Sequence, residues 1–203
     1  MRQPVAGIVS QVTDSESEGR PGKRDRLAAA AARVLHEQGV EKTTLADIAK
    51  AADVPVGNVY YYYKTKDQLV GAAIATHERN MRALVSALDR LPTPQERLKA
   101  LVGAWVDQRD LTSRYGCPTG TLASELDKRA EGGLDRDVAE VMGRLLDWIE
   151  RQFTAMGRAD ARELAVALLA AYQGISLLTN TFRDPGLMSA EGRRLERWID
   201  SLG

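Results

Sequence analysis

Three short helices predicted within residues 23–63 constrain the fold more than any other feature of the chain. In the first, from Lys23 to Gly39, apolar side chains recur every three or four residues and a glycine ends the helix. Thr44 and Asp47 form a capping-box pattern at the start of the second. The third begins near Pro55, whose fixed φ suits a first helical turn.

The remainder of the chain is also helical in pattern. A fourth helix is predicted to begin after Thr65, as N-cap, and to continue to Leu91, before two prolines stop it. Glycine and proline breaks delimit further helices at about 95–111, 119–130, 134–156, 160–183 and 189–202. Since neither a strand nor a repeat is evident, we predict an all-α fold of about nine helices.

Composition limits the classes of protein that the chain can belong to. The 203 residues carry no formal net charge and are 44% hydrophobic, which is typical of a soluble globular protein. The single cysteine excludes an intrachain disulfide, and residues 1–22, which lack periodicity and a signal-like apolar stretch, are expected to be a disordered tail. We therefore expect a cytoplasmic protein.

The most apolar stretch, Leu164 to Leu178, is too short to span a bilayer and is interpreted as a buried helix, with no membrane partner. Residues 20–66 contain 9 basic and 5 acidic side chains, a local excess that is compatible with nucleic acid.

Four of the six tyrosines are consecutive, from Tyr60 to Tyr63, close to Asn58, Lys64 and Lys66. A helix cannot bury four successive positions on one face, so some of the rings are expected to point outward. Exposed phenols beside lysines suit phosphate oxygens and base edges. The alternative is a tyrosine-rich packing strip.

The stretch from Thr44 to Leu69, TLADIAKAADVPVGNVYYYYKTKDQL, closely resembles the DNA-binding helix-turn-helix of the TetR family of transcriptional regulators, and the resemblance extends back to Lys23. It implies a helix-turn-helix domain over residues 23–69. A long helix would join this domain to a helical effector-binding and dimerisation domain over residues 70–203. The implied function is a homodimeric repressor that binds a palindromic operator on double-stranded DNA and is released by a small, apolar or aromatic effector.

By this resemblance, Pro55 to Tyr62 would be the recognition helix. The candidate DNA-binding residues are Thr43, Thr44, Pro55, Val56, Gly57, Asn58, Tyr60, Tyr61, Tyr62, Lys64 and Lys66. The chain departs from the commoner pattern at Pro55, where many relatives carry a capping Ser or Thr, and at Val56, where a polar or basic residue is frequent. We expect Val56 to contact a thymine methyl group. Tyr63 is expected to be packed.

Two sets of residues are candidates in the C-terminal region. The effector-binding candidates are Trp105, Tyr115, Cys117, Leu122, Met142, Trp148, Phe153 and Tyr172, although each also lies where ordinary core is expected. The dimer-interface candidates are Leu164, Leu168, Ala171, Ile175, Leu178, Leu195 and Trp198.

Two alternatives remain open at this point: an electrophile- or redox-responsive repressor that acts through Cys117, and a helical dimer with no small-molecule effector. Cys117 would react only as a thiolate, and a buried, inert thiol is the competing interpretation. The two histidines, His36 and His77, form no metal-binding pattern, and no catalytic motif is evident. We expect neither an enzyme nor a bound cofactor or metal.

Overall fold

The computed structural model describes residues 21–128 and 133–203, and over these it contains ten helices and no strand. They are α1 Lys23–Gln38, α2 Leu45–Ala51, α3 Val56–Tyr62, α4 Lys66–Leu88, α5 Pro94–Asp107, α6 Arg109–Tyr115, α7 Pro118–Leu126, α8 Leu134–Ala155, α9 Ala161–Phe182 and α10 Pro185–Asp200. The predicted all-α fold is confirmed. The tail predicted over residues 1–22 lies, apart from its last two residues, outside the described part of the chain.

Two of the differences between the predicted and the observed helix boundaries have a clear local cause. The helix predicted at 95–111 is two helices, α5 and α6, because the backbone leaves helical geometry at Gln108, with φ −90° and ψ 5°. The last helix begins at Pro185 rather than at residue 189. Asp184 caps it by accepting a hydrogen bond from the Gly186 N–H at 2.8 Å, and proline fits the first turn.

The chain forms two compact units. The head unit contains residues 21–80, 118–128 and 133–142, and the body unit contains residues 81–117 and 143–203. The sequence prediction assigned residues 70–80, 118–128 and 133–142 to the C-terminal domain, whereas in the structure they belong to the head unit. The functional division at residue 69 stays a prediction.

The head unit has one apolar core, to which helices distant in sequence contribute. Leu27 of α1, Ile48 of α2 and Val59 of α3 are fully buried in it. The same core includes Leu126 of α7 and Val138 of α8. Burial of these side chains fixes the orientation of α2 and α3, because protein cores are close-packed.

The body unit has its own core. Leu98, Trp148, Phe153, Leu168 and Ile199 are among its fully buried side chains. The α5 and α10 helices approach so closely that a Cβ at Gly192 would lie 2.4 Å from Val106 Cγ2. Glycine is therefore required at that position for the two helices to meet.

Helix α9 is long and apolar enough, by length and composition, to cross a membrane. One of its faces instead belongs to the body core, where Ala165 and Leu168 are fully buried and Tyr172 is stacked on Trp105. On that face α9 is the buried helix that the sequence predicted. A helix buried in the core of a protein can have the same length and apolar composition as a membrane-spanning helix.

Candidate nucleic-acid interface

Helix α2 begins at a complete capping box. The Thr44 side chain accepts a hydrogen bond from the Asp47 N–H at 3.2 Å, and Asp47 Oδ2 accepts one from the Thr44 N–H at 2.9 Å. The hydrogen bonds from Thr44 lower the pKa of Asp47, with the side-chain bond first. The predicted start of α2 is confirmed.

Two arginines of α1 bind the turn between α2 and α3. Arg26 donates to the Asp53 carbonyl at 3.1 Å, and Arg33 donates to the Ala51 carbonyl at 3.3 Å. Asp53 has a left-handed conformation, with φ 52°. Cations are favourable at a helix C-terminus, so the guanidinium groups stabilise both the end of α2 and the turn. The sequence prediction missed these two residues, although their seven-residue spacing places them on one face of α1.

Helix α3 is held by one buried side chain at its centre and one at its end. Val59 is fully buried, and the Tyr63 ring is buried with its hydroxyl donating to the Arg24 carbonyl at 3.4 Å. The expected packing of Tyr63 is confirmed. Pro55 precedes the helix as N-cap, with ψ 135° and no side-chain hydrogen bond, so the first turn of α3 has no side-chain cap.

The opposite face of α3 points away from the head core. Val56, Tyr60 and Tyr61 are exposed by 46%, 52% and 77%, respectively. The Tyr62 ring lies edge-on to that of Tyr61, at 5.0 Å between centroids, and packs partly against the core. The four tyrosines are therefore not a packing strip, because two of them are exposed on a short helix.

The backbone of α3 is accessible at its second residue. Gly57 is exposed, and a Cβ placed there would meet no atom within 4 Å. Asn58, one residue on, is half-buried. The predicted close approach of the Gly57 backbone to DNA therefore meets no steric obstacle at this position.

The N-terminus of α4 lies beside the loop that precedes α2. Lys66, the first residue of α4, donates from Nζ to the Glu41 carbonyl at 3.2 Å. Thr65 accepts a hydrogen bond from the Gln68 N–H at 3.2 Å, and Gln68 Oε1 accepts one from the Lys64 N–H at 2.6 Å. The predicted cap at Thr65 is confirmed. Lys66 keeps two further N–H donors, because an ammonium group carries three.

One predicted DNA-binding residue is not available at the surface. Thr43 is 1% exposed, and its hydroxyl donates to the Gly39 carbonyl at 2.7 Å. The prediction of a DNA contact is wrong for this side chain, because its hydroxyl stabilises the loop between α1 and α2. Thr44, the next residue, is exposed, although its hydroxyl is engaged with Asp47.

Three of the predicted effector-binding residues are close together in the body unit. The Trp105 and Tyr172 rings are stacked, with centroids 4.1 Å apart and an interplanar angle of 14°. Cys117 is 5% exposed and its Sγ accepts a hydrogen bond from Gln173 Nε2 at 3.7 Å. Burial raises the pKa of Tyr172 well above its usual value, and the neighbouring Cys117 raises it further.

Four of the other predicted effector-binding residues are divided between the two cores. Trp148 donates from Nε1 to Asp89 at 2.9 Å, Phe153 lies edge-on to Trp198, and both are buried in the body core that also contains Trp105. Leu122 and Met142 pack in the core of the head unit. Their place in an effector site stays a prediction, since α7 and the first turns of α8 contribute to the head core. Tyr115 is half-buried.

The predicted dimer-interface residues lie on α9 and α10, and most of them pack in or against the body core. Leu168 and Leu195 are buried there, and that prediction is wrong for them. Their burial within the body unit leaves no surface for a partner. The remaining candidates except Leu178, namely Leu164, Ala171, Ile175 and Trp198, pack partly against the same core.

Four large apolar side chains of α9 are exposed. Val166 and Leu178 are both 47% exposed, and Leu177 and Phe182 are both 66% exposed. We call these four residues the α9 outer face. Helical periodicity places apolar residues on both sides of α9, so the sequence alone did not separate the outward side from the inward one.

Comparison with known proteins identifies matching domains in both parts of the chain. Residues 27–73 match the family described as bacterial regulatory proteins, tetR family, and residues 94–193 match the LmrA/YxaF-like transcriptional regulator C-terminal domain. An HTH-type transcriptional regulator of Mycobacterium tuberculosis is 27% identical over 171 residues, which cover 80% of this chain and 87% of that protein. The BetI regulator of Rhizobium meliloti is 35% identical over 83 residues, 40% of this chain and 41% of that protein.

Solved structures have the same fold. A TetR-family regulator from Streptomyces coelicolor superimposes with a TM-score of 0.76 at 22% identity, over 89% of this chain and 93% of that one. A TetR regulator from Legionella pneumophila gives 0.79 at 17% identity, over 90% and 98%. The family is a non-enzymatic class of DNA-binding regulators. With a matching helix-turn-helix, C-terminal domain and fold, the chain belongs to the TetR family of transcriptional regulators.

Proposed function

We propose that the protein is a cytoplasmic, homodimeric repressor that binds a palindromic operator and is released from it by a small-molecule effector. One observation carries the proposal: α3 presents Val56, Tyr60 and Tyr61 to solvent while Val59 anchors the helix from behind. An exposed polar and aromatic face on a rigidly held helix is what base-edge recognition in the major groove requires. That the protein represses transcription is an expectation taken from the family.

Contacts with bases are assigned to residues of α3. Tyr61, Tyr62 and Asn58 carry hydroxyl and amide groups that suit base edges. Val56 supports contact with a thymine methyl group, since its apolar side chain is exposed at the first residue of the helix. Gly57 supports a close approach of the backbone.

Contacts with phosphates are assigned to Thr44, Tyr60, Lys64 and Lys66. The Lys66 ammonium group is oriented by the Glu41 carbonyl, and an ion pair with a phosphate would offset its unfavourable position at a helix N-terminus. Such contacts position the protein on DNA without specifying its sequence.

The α9 outer face supports the homodimer. Four large apolar side chains are exposed along one helix, and exposed apolar patches of this kind mark association surfaces. Association of two copies about a twofold axis would bury the patch on both. Two recognition helices about 34 to 36 Å apart then read half-sites on one side of the duplex, which requires a palindromic operator.

The body unit is proposed to bind the effector, near Trp105, Cys117 and Tyr172. Stacked aromatic rings with a thiol beside them suit an apolar or aromatic molecule with few polar groups. Binding there is proposed to shift α4, which contributes residues to both units, and to change the separation of the recognition helices. Allosteric couplings are typically about 1 to 3 kcal/mol, or roughly 5- to 150-fold in DNA affinity.

The experiment is a titration of the purified protein against DNA from upstream of its own gene and against a scrambled duplex, at two salt concentrations, with Lys66→Ala for comparison. A preference of roughly 10³ or more for the native fragment would support a sequence-specific regulator. Equal, weak binding to both duplexes, followed by failure of selection from random DNA, would contradict the proposal.

The two alternatives predict different behaviour. A dimer without an effector would bind the operator and respond to no small molecule in a library of apolar and aromatic compounds. A redox-responsive repressor would need an accessible thiolate at Cys117, whereas this thiol is buried beside Tyr172 and Gln173. The burial favours the interpretation in which Cys117 is a packed residue.

A further inference from the structure

A carboxylate of α7 binds the backbone between α1 and α2. Glu125 Oε2 accepts a hydrogen bond from the Val40 N–H at 2.5 Å, across 85 positions of sequence. Both residues belong to the head unit. Nothing in the helix-turn-helix motif itself predicts this contact, because α7 lies far outside residues 23–69.

The hydrogen bond with Glu125 gives an acceptor to the Val40 N–H, which lies just beyond the end of α1. Gly39, with φ 82°, ends α1 and donates its own N–H to the Leu35 carbonyl, and Val40 is buried directly after it. A buried N–H without an acceptor is costly. A Cβ at Gly39 would lie 2.9 Å from Glu125 Oε1, so glycine also makes room for the carboxylate.

The segment that Glu125 holds leads directly to the proposed phosphate contacts. The Gly39 carbonyl accepts from Thr43, whose successor Thr44 caps α2, and the Glu41 carbonyl accepts from Lys66 Nζ. The loop over residues 39–43 therefore leads into the cap of α2 at one end and binds the ammonium group of Lys66 through the Glu41 carbonyl.

Helix α7 is also the element through which the chain passes from body to head. It begins at Pro118, immediately after Cys117, the last residue of the body segment 81–117. A change in the backbone at Cys117 would act on α7 through the covalent chain, and α7 carries Glu125 eight residues after Cys117.

We infer that Glu125 is a positioning residue for DNA binding: through Val40 it holds the loop over residues 39–43, so that the position of α7 controls the phosphate-binding end of the interface. This inference rests on the proposed function. It assigns to Glu125 no contact with DNA, only the placement of Lys66 and of the α2 cap.

The test measures operator affinity over a series of salt concentrations for wild type, Glu125→Ala, Glu125→Gln and Asp127→Ala. Glutamine keeps an acceptor oxygen within reach of Val40. Asp127→Ala is the matched control, since it removes the same charge at an exposed position directly after α7. We expect Glu125→Ala to weaken binding roughly tenfold and to lower the magnitude of the salt slope by about one, as when one phosphate contact is lost. Glutamine should largely restore both quantities.

Hydrogen exchange supplies a readout that separates positioning from global stability. In Glu125→Ala the amides of residues 39–43 should exchange faster while those of α1 keep their protection. Unchanged salt slope and unchanged exchange in Glu125→Ala would overturn the inference, and so would an effect equal to that of Asp127→Ala.

If Glu125→Ala does not fold, Glu125→Asp takes its place, because aspartate keeps the charge and shortens the reach to Val40. A reduced salt slope in that variant supports the inference, and a wild-type slope overturns it. Failure of the proposed function is distinguishable, since wild-type protein would then show no preference for the operator, whereas failure of the inference leaves that preference intact.

Discussion

The ring of Tyr172 stacks on the indole of Trp105, with centroids 4.1 Å apart and planes 14° from parallel. The pair joins α9 to α5 within the body core, beside the buried thiol of Cys117. Three of the residues that the sequence analysis named as effector-binding candidates thus form one cluster.

The stack is expected to contribute strongly to stability. Tyr172→Ala should lower the free energy of unfolding by about 3 to 5 kcal/mol, because a large buried ring is lost and a cavity remains. Tyr172→Phe keeps the ring and should cost about 1 kcal/mol or less. Urea denaturation measures both changes, and a similar cost for the two variants would show that the hydroxyl, not the stack, is important.

His77 is expected to make stability depend on mildly acidic pH. Burial first, and the neighbouring His36 second, lower its pKa from the ordinary 6.5 to about 4. Between these values the unfolded chain binds a proton that the folded chain does not. Stability is therefore complete above pH 6.5 and is lost as the pH falls towards 4, by about 3 kcal/mol.

The histidine contribution can be isolated by substitution. Urea denaturation at pH 7 and at pH 4.5 gives, for wild type and for His77→Gln, the change in the free energy of unfolding between the two pH values. Acidic side chains contribute equally to this change in both proteins, so the comparison isolates His77. We expect the smaller change in His77→Gln. Equal differences would mean that His77 does not titrate in this range.

Two substitutions should separate the two kinds of DNA contact. Lys66→Ala should weaken binding to all sequences and lower the salt slope by about one, because a phosphate contact is lost. Tyr61→Ala should instead relax base preference, by about 1 to 3 kcal/mol at one position. Competition titrations against single-base variants of the operator measure this. A uniform loss in Tyr61→Ala would remove that residue from base recognition.

A charge on the α9 outer face should prevent dimerisation. In Leu177→Glu a carboxylate would be buried against the partner, so sedimentation velocity should show monomers at concentrations where wild type is dimeric. Ala139→Glu, at an exposed position of α8, is the control and should stay dimeric. A dimeric Leu177→Glu would place the interface elsewhere.

The Cys117 thiol should react slowly in the folded protein. It is buried beside Tyr172 and Gln173, so a thiol reagent should modify it far more slowly under native conditions than in urea. Cys117→Ser should also leave any effect of electrophiles on operator binding unchanged. Loss of such an effect in Cys117→Ser would instead support the redox-responsive alternative.

Local sequence signals were sufficient for most of the secondary structure. Thr44 with Asp47 and Thr65 with Gln68 form the predicted caps, since capping depends on residues three apart in the chain. The packing of Tyr63 was expected from the family resemblance, and the buried ring confirms it.

Contacts between distant segments were decided only by the tertiary structure. The hydrogen bond from Val40 to Glu125, the turn held by Arg26, and the burial of Thr43 all depend on which helices meet. Helical periodicity is a local property, and it does not state which neighbour a face will contact.

Helix α9 shows where the limit lies. The sequence of α9 determined a long, apolar helix with two hydrophobic sides. Burial of both sides was therefore expected. Only the fold decided that Leu168 faces the body core while Leu177 faces outward. The free energy gained by burial depends on how all the helices pack together, so the choice between two sides that both carry apolar residues is made when the other helices pack against one of them.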